Sequence, residues 1–186
     1  MISHIRERLS MHQAKVVECP RTILAGVVIP IYEYDNEVFF LLTKRTETVR
    51  FHKGEVSFPG GMYEENDLNT MKTALRECCE EIGVKRHDVE IIGRLDDVYT
   101  LTGFVIAPYV GIIPYPYEFH PNRQEVDYII NLPYTYLKQA KPEYEMAGYN
   151  GVSESVAAIR FNGDRIWGAT YRILSQFKRI VENEEV

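Results

Sequence analysis

Three glutamates lie close together in segment 76–84, at spacings of three and four residues: Glu77, Glu80 and Glu81. A helix places residues three and four apart on one face, so these carboxylates would be neighbours. Like charges this close repel one another unless something offsets them. Carboxylate oxygens suit a hard divalent cation such as Mg²⁺. The spacing therefore predicts a metal site on one face of a helix.

Two features around the glutamates would position them. Gly83 follows the cluster and is a typical C-terminal cap residue, so we predict a helix over residues 69–81 that stops there. The segment Phe58-Pro59-Gly60-Gly61 precedes the helix. We predict a turn there. Glycine has no side chain, so the backbone of this turn could come close to a cation or its ligand.

The rest of the chain alternates strand and helix patterns. Runs rich in β-branched and aromatic residues predict strands at 21–34, 37–44, 55–58, 89–99, 104–114 and 125–132. Asp35-Asn36 and Asn150-Gly151 predict hairpin turns, the second between strands 143–149 and 155–161. Helices are predicted at 2–13, 133–140 and 166–181. This order favours an α+β fold with a mixed β-sheet between helical layers.

Composition narrows the class of protein. The 186 residues fit one domain, and 45% hydrophobic with 26% charged residues is ordinary for a soluble protein. The net charge of -6 argues against a nucleic-acid partner. The longest apolar run, 23–32, is too short to span a membrane. Three cysteines form no disulfide framework, so we expect a soluble cytoplasmic protein.

Segment 76–84 reads Arg-Glu-Cys-Cys-Glu-Glu-Ile-Gly-Val and resembles the second half of the Nudix box, G-x5-E-x7-R-E-U-x-E-E-x-G-U with U aliphatic. The first half departs from that pattern. Gly61 precedes Arg76 by fifteen residues, one more than the pattern has. Asp67 is the nearest acidic substitute for the first glutamate of the box. The loop between the glycines and the helix is therefore one residue longer.

The segment before the box carries a second resemblance. Residues 41–61 are similar to L-L-T-x-R-[SA]-x3-R-x3-G-x3-F-P-G-G, the extra motif of the coenzyme A diphosphatase branch of Nudix hydrolases. Thr46 departs, where the motif has Ser or Ala. That branch also tolerates the longer loop. The resemblance implies the Nudix fold, an α/β/α sandwich, and hydrolysis of coenzyme A to 3′,5′-ADP and 4′-phosphopantetheine.

The resemblance also implies roles for individual residues. Glu77, Glu80, Glu81 and the backbone carbonyl of Gly61 would hold Mg²⁺ or Mn²⁺, and Arg76 would orient a metal-binding carboxylate. Substrate-binding roles are expected for the basic cluster before the box and for its glycines: Arg45, Arg50, His52, Gly60 and Gly61. The catalytic base would be a glutamate from a distant loop. Glu118 and Glu125 are the candidates, and Glu125 matches the branch better.

Two other functions stay open at this point. One is hydrolysis of another nucleoside diphosphate derivative, such as ADP-ribose, NADH or a nucleotide sugar. The other is a Nudix nucleotide-binding module without catalysis. We expect one Nudix domain over 1–186, with a helical extension at 1–20 and the Nudix box region at 60–84. Segment 115–117 could line a pocket or a homodimer contact, and the expected partner is a small molecule.

Overall fold

The computed structural model describes residues 1–18, 22–49, 52–149 and 152–183. Within these residues the helices are α1 (Ile2–Met11), α2 (Thr70–Ile82), α3 (Tyr134–Gln139) and α4 (Gly168–Glu182). The strands are β1 (Ile23–Tyr34), β2 (Glu37–Arg45), β3 (Val56–Ser57), β4 (Gly60–Met62), β5 (Glu90–Arg94), β6 (Val98–Tyr99), β7 (Phe104–Ile112), β8 (Val126–Pro133), β9 (Glu143–Tyr149), β10 (Val152–Phe161) and β11 (Asp164–Trp167).

Strand β1 is the axis of the larger sheet, which has eight strands in the described part of the chain. Along one edge β1 pairs in parallel with β7. Along the other edge its first half pairs with β4 and its second half with β2, both antiparallel. Strand β8 extends the sheet beyond β2, and β5 extends it beyond β7. The antiparallel partner of β1 therefore changes midway along the strand, from β4, which contains Gly60 and Gly61, to β2.

Helices cover both faces of this sheet. Side chains of β1 point alternately to the two faces, so each face can pack against a helical layer. Val28 packs with Ala74 and Cys78 of α2 in one buried cluster. On the opposite face, Ile29 belongs to a second buried cluster that includes Phe177 of α4 and residues of α1 and α3. The predicted mixed sheet between helical layers is confirmed.

The N-terminal helix is part of the second cluster. Ile5 and Leu9 of α1 are buried there together with residues of α4. Their spacing of four residues puts both side chains on one face of the helix. Leu9 also lies against Gly93 of β5, where an added Cβ would come within 2.9 Å of the leucine Cβ. Helix α1, which lies within the helical extension predicted for residues 1–20, is thus part of the core.

Three local predictions need correction. The predicted turn at Gly60-Gly61 is strand β4, because these glycines pair with Val27 and Gly26 of β1. The predicted strand 89–99 is two strands, β5 and β6. The predicted helix 166–181 begins at Gly168, because residues 164–167 form β11, which pairs with β10.

The predicted hairpin of β9 and β10 is present as an antiparallel pair, and its predicted turn at 150–151 lies outside the described residues. Among the residues that the structure describes, no helix is long and apolar enough to cross a membrane.

Candidate active site

Helix α2 is held at both ends and packed tightly on β1. The Asn69 side chain accepts a hydrogen bond from Lys72 N at 3.0 Å and so caps the first turn. Gly83 ends the helix in the left-handed region, with φ 72°. Gly26 of β1 lets the helix approach, since a Cβ there would lie 2.0 Å from the Thr70 carbonyl oxygen. The acidic face of α2 is thereby fixed beside β4.

Arg76 organises the acidic residues around it. Its guanidinium donates to Asp67 at 3.0 Å, to Glu77 at 2.9 Å and to Glu80 at 3.3 Å. Asp67 is buried and also accepts a hydrogen bond from the Thr73 hydroxyl at 2.9 Å. Hydrogen bonds from Arg76, the largest contributor, and from the Glu64 N–H and the Thr73 hydroxyl lower the pKa of Asp67 to about 2. Asp67 therefore anchors Arg76, and Arg76 links the longer loop to two of the three predicted metal ligands.

Glu81 is the most deeply placed of the three glutamates. Its side chain is 2% exposed, and one oxygen, Oε1, accepts a hydrogen bond from Arg45 at 3.3 Å. The other oxygen, Oε2, has no hydrogen-bond partner among the described residues. Burial raises the pKa of Glu81 to about 8; the charge of Arg45 and the Gly60 backbone N–H oppose this rise, and the negative charges of Glu77 and Glu125 add to it. The protein keeps a costly acidic group here with one oxygen unused.

Glu77 lies against the glycine that precedes the loop. A Cβ on Gly61 would lie 2.4 Å from Glu77 Oε1, so only glycine leaves room for this carboxylate. Burial raises the pKa of Glu77, against the effect of Arg76. The third glutamate, Glu80, is more open, with 57% of its side chain exposed. The structure thus brings Gly61 and Glu77 into contact and leaves Glu80 at the rim.

Glu125 is the fourth carboxylate of this neighbourhood. Its charge contributes to the raised pKa of both Glu77 and Glu81. Its position is fixed by its own carbonyl, which accepts a hydrogen bond from Thr46 N at 2.9 Å. The other candidate base, Glu118, has an 88% exposed side chain, and its Oε1 lies 4.0 Å from Nε2 of His120. Only Glu125 of these two is coupled electrostatically to the α2 glutamates.

The predicted basic cluster is divided by the structure. Arg45 points at Glu81, as described above. His52 pairs with Glu55, Nδ1 to Oε2 at 2.9 Å, and this hydrogen bond raises the pKa of His52 while the charge of Arg45 opposes the shift. Arg50 lies outside the described residues. The contact of Arg45 with Glu81 was missed by sequence reasoning, and no local pattern indicates it.

The carboxylate oxygens of Glu77, Glu80 and Glu81 are of the kind that a hard divalent cation prefers. Across residues 1–18, 22–49, 52–149 and 152–183, no three carboxylate, imidazole or thiolate groups converge as metal ligands, and arginines pair with the glutamates instead. Two observations nonetheless support the fit. Glu81 has a buried oxygen without a partner, and Glu77 is packed on a glycine backbone whose carbonyl could join it.

Comparison with known proteins decides the family. The family model of the NUDIX domain matches residues 22–160. A protein from Yersinia enterocolitica named uncharacterized Nudix hydrolase NudL is 33% identical over 158 residues, which cover 84% of this chain and 80% of that protein. The chain belongs to the Nudix family. A protein of the same name from Enterobacter is 40% identical over 109 residues, covering 59% of this chain and 56% of that one.

Solved structures agree on the Nudix fold. A MutT/nudix family protein from Enterococcus faecalis superposes with a TM-score of 0.58 at 15% identity, covering 98% of this chain and 70% of that chain. The Nudix domain of NrtR from Shewanella oneidensis, complexed with ADP ribose, gives a TM-score of 0.51 at 19% identity, covering 72% of this chain and 85% of that one. At these identities the likeness concerns the fold alone.

Proposed function

We propose that this Nudix protein is a metal-dependent hydrolase that cleaves the diphosphate of coenzyme A to 3′,5′-ADP and 4′-phosphopantetheine. The observation that carries the hydrolase part is the buried Glu81 with its unpartnered oxygen, close to Glu77 and to the charge of Glu125. A module that only bound a nucleotide need not keep three neighbouring carboxylates that repel one another. A buried carboxylate oxygen without a hydrogen-bond partner destabilises a protein, so its retention indicates a use.

Each residue of the site has a proposed part. Glu77, Glu80, Glu81 and the Gly61 carbonyl would hold Mg²⁺ or Mn²⁺, which supplies Lewis-acid polarisation of the diphosphate and lowers the pKa of a bound water. Arg76 keeps two of these carboxylates in place through its hydrogen bonds. Phosphoryl transfer depends mainly on positioning and charge neutralisation, so the chain needs no side-chain nucleophile.

Glu125 is the proposed base. It would accept a proton from the water whose oxygen bonds to phosphorus as the anhydride P–O bond breaks. Its backbone contact with Thr46 ties it to the segment that follows β2, and so to the motif before the Nudix box. The base and the substrate motif are therefore structurally linked.

The choice of coenzyme A rests on residues 41–61. Basic side chains before the metal loop suit a substrate with both a diphosphate and a 3′-phosphate. His52 lies in the described part of that segment, with about half of its side chain exposed. We also propose that residues 1–186 form one Nudix domain, since α1 packs in the same core as α4.

A substrate panel tests the proposal. Purified protein is incubated with Mg²⁺, with Mn²⁺ or with EDTA, and with coenzyme A, ADP-ribose, NADH or a dinucleoside polyphosphate, and products are separated by chromatography. We expect metal-dependent turnover with coenzyme A as the preferred substrate. Preferred turnover of another compound would contradict the assignment of coenzyme A and identify that compound as the preferred substrate. Binding without turnover for every metal would favour the non-catalytic module.

A further inference from the structure

Arg45 is placed differently from a residue that reads substrate. Its side chain is only 19% exposed, and Nη1 donates to Glu81 Oε1 at 3.3 Å. The Nε atom of Arg45 is buried and has no hydrogen-bond partner within the described residues. An arginine that binds phosphate presents its planar fork of donors to the ligand. Here the guanidinium is instead directed at a carboxylate of α2.

The backbone around Arg45 is arranged to hold this direction. The register of β2 with β8 shifts at Arg45: Lys44 lies opposite Tyr128 and Arg45 opposite Val126, so the extra residue, Asp127, belongs to β8. Irregular pairing of this kind is often found next to active sites. The Arg45 N–H donates to the Glu55 carbonyl at 2.9 Å, and the next N–H, of Thr46, donates to the Glu125 carbonyl at 2.9 Å. Hydrogen bonds to two different segments therefore fix the backbone from which the Arg45 side chain extends.

The contact engages only one oxygen of Glu81. Oε1 takes the hydrogen bond from Arg45, while Oε2 is buried without a partner in the described residues. This division matters, because the same carboxylate can accept the hydrogen bond from Arg45 with one oxygen and bind a cation with the other. A side chain with both oxygens paired would have to break a contact first.

We infer that Arg45 is a positioning residue that orients Glu81, with Oε1 held by the guanidinium and Oε2 left for a divalent cation. The inference rests on the proposed function, because it takes Glu81 as a metal ligand. It assigns Arg45 a part that acts through Glu81, where the sequence predicts direct contact with substrate. Residues that orient a metal ligand typically change metal affinity about 10- to 100-fold when they are removed.

Mn²⁺ binding without substrate distinguishes the two roles. We would measure the Mn²⁺ dissociation constant by calorimetry and by electron paramagnetic resonance for the wild type, Arg45→Met and Arg45→Lys. Positioning predicts binding weakened about 10- to 100-fold in Arg45→Met, with partial recovery in Arg45→Lys, which keeps the charge but loses the fork. A pure substrate-binding role predicts unchanged Mn²⁺ affinity and a raised KM.

Arg94 provides a matched control. It also pairs with a buried carboxylate, Asp97, with side-chain exposures of 29% and 3%, and its Nε is also buried without a partner among the described residues. Arg94→Met should lower the melting temperature as Arg45→Met does, yet leave Mn²⁺ affinity unchanged. Equal weakening of Mn²⁺ binding in both variants would mean that loss of stability is the cause, and would overturn the inference.

A double-mutant cycle completes the test. In a Glu81→Gln background, Arg45→Met should change Mn²⁺ affinity less than threefold, because its only route to the metal is gone. Fully additive effects would overturn the inference. A wild-type protein that binds Mn²⁺ while Arg45→Met binds it equally well contradicts only the role of Arg45. A wild type that binds no Mn²⁺ contradicts the proposed function as well.

Discussion

Gly61→Ala is the sharpest perturbation of the site that the packing allows. A Cβ at Gly61 would lie 2.4 Å from Glu77 Oε1, and ordinary contact begins near 3.4 Å, so the carboxylate must move by about 1.0 Å. The same oxygen accepts the 2.9 Å hydrogen bond from Arg76, which that movement would strain. A misplacement of about 1 Å can cost about 100-fold in rate, or about 2.7 kcal/mol of activation free energy.

The neighbouring glycine supplies the comparison. At Gly60 an added Cβ would meet the backbone oxygen of Gly26 at 2.4 Å, and backbone cannot yield as a side chain can. Gly60→Ala should therefore lower the free energy of unfolding by about 1–3 kcal/mol, and Gly61→Ala by less. Metal-dependent turnover and thermal unfolding of both variants are the assays. A folded Gly61→Ala protein with kcat close to the wild-type value would refute the assignment of Glu77.

Three further predictions concern single side chains. Glu81→Gln should lower kcat about 100-fold or more, since metal assistance is worth several kcal/mol. The melting temperature should change little, because the amide keeps the shape of the side chain and its oxygen can still accept the hydrogen bond from Arg45; near-normal kcat would mean that the metal face is misplaced. Hydrogen bonds, chiefly from Arg76, lower the pKa of Asp67 to about 2, so this carboxylate stabilises the fold above its unfolded pKa of about 3.9 and loses that contribution as pH falls towards 2. Urea unfolding in EDTA should therefore show a flatter acid limb for Asp67→Asn than for the wild type, and parallel curves would contradict the pairing. Arg50→Ala should raise KM for coenzyme A more than for its analogue without the 3′-phosphate, and an equal rise would remove the phosphate-recognition role.

Elements with local signals were predictable from the sequence. Helix α2 begins after Asn69 and ends before Gly83, as its cap residues indicate. The hairpin of β1 and β2 turns at Asp35-Asn36, where both residues have positive φ. Asparagine and aspartate tolerate that conformation, which is why this pair marks hairpin turns. Local chemistry is sufficient in these cases.

Elements that depend on distant partners were not predictable. Gly60 and Gly61 have the composition of a turn, yet they form β4 because β1 supplies a pairing edge more than thirty residues earlier in the chain. Strand β11 has only four residues, and it merges with the apolar pattern of α4 unless its pairing with β10 is known. The residue pattern within one segment does not indicate which strand from another part of the chain will lie beside it and pair with it.

The site shows the same limit. The spacing of Glu77, Glu80 and Glu81 predicts one helical face, but it does not indicate their different burial, from 2% exposed at Glu81 to 57% at Glu80. That difference arises from the packing of α2 on the sheet. The contact of Arg45 with Glu81 joins residues 36 positions apart, so it depends on how β2 and α2 meet.

Product analysis with coenzyme A tests the central proposal most directly. The wild-type protein is incubated with coenzyme A and Mn²⁺, with EDTA in a parallel sample, and the products are identified by mass spectrometry. The proposed chemistry predicts equal amounts of 3′,5′-ADP and 4′-phosphopantetheine with Mn²⁺ and neither product with EDTA. Intact coenzyme A under conditions in which the same preparation cleaves ADP-ribose would contradict it.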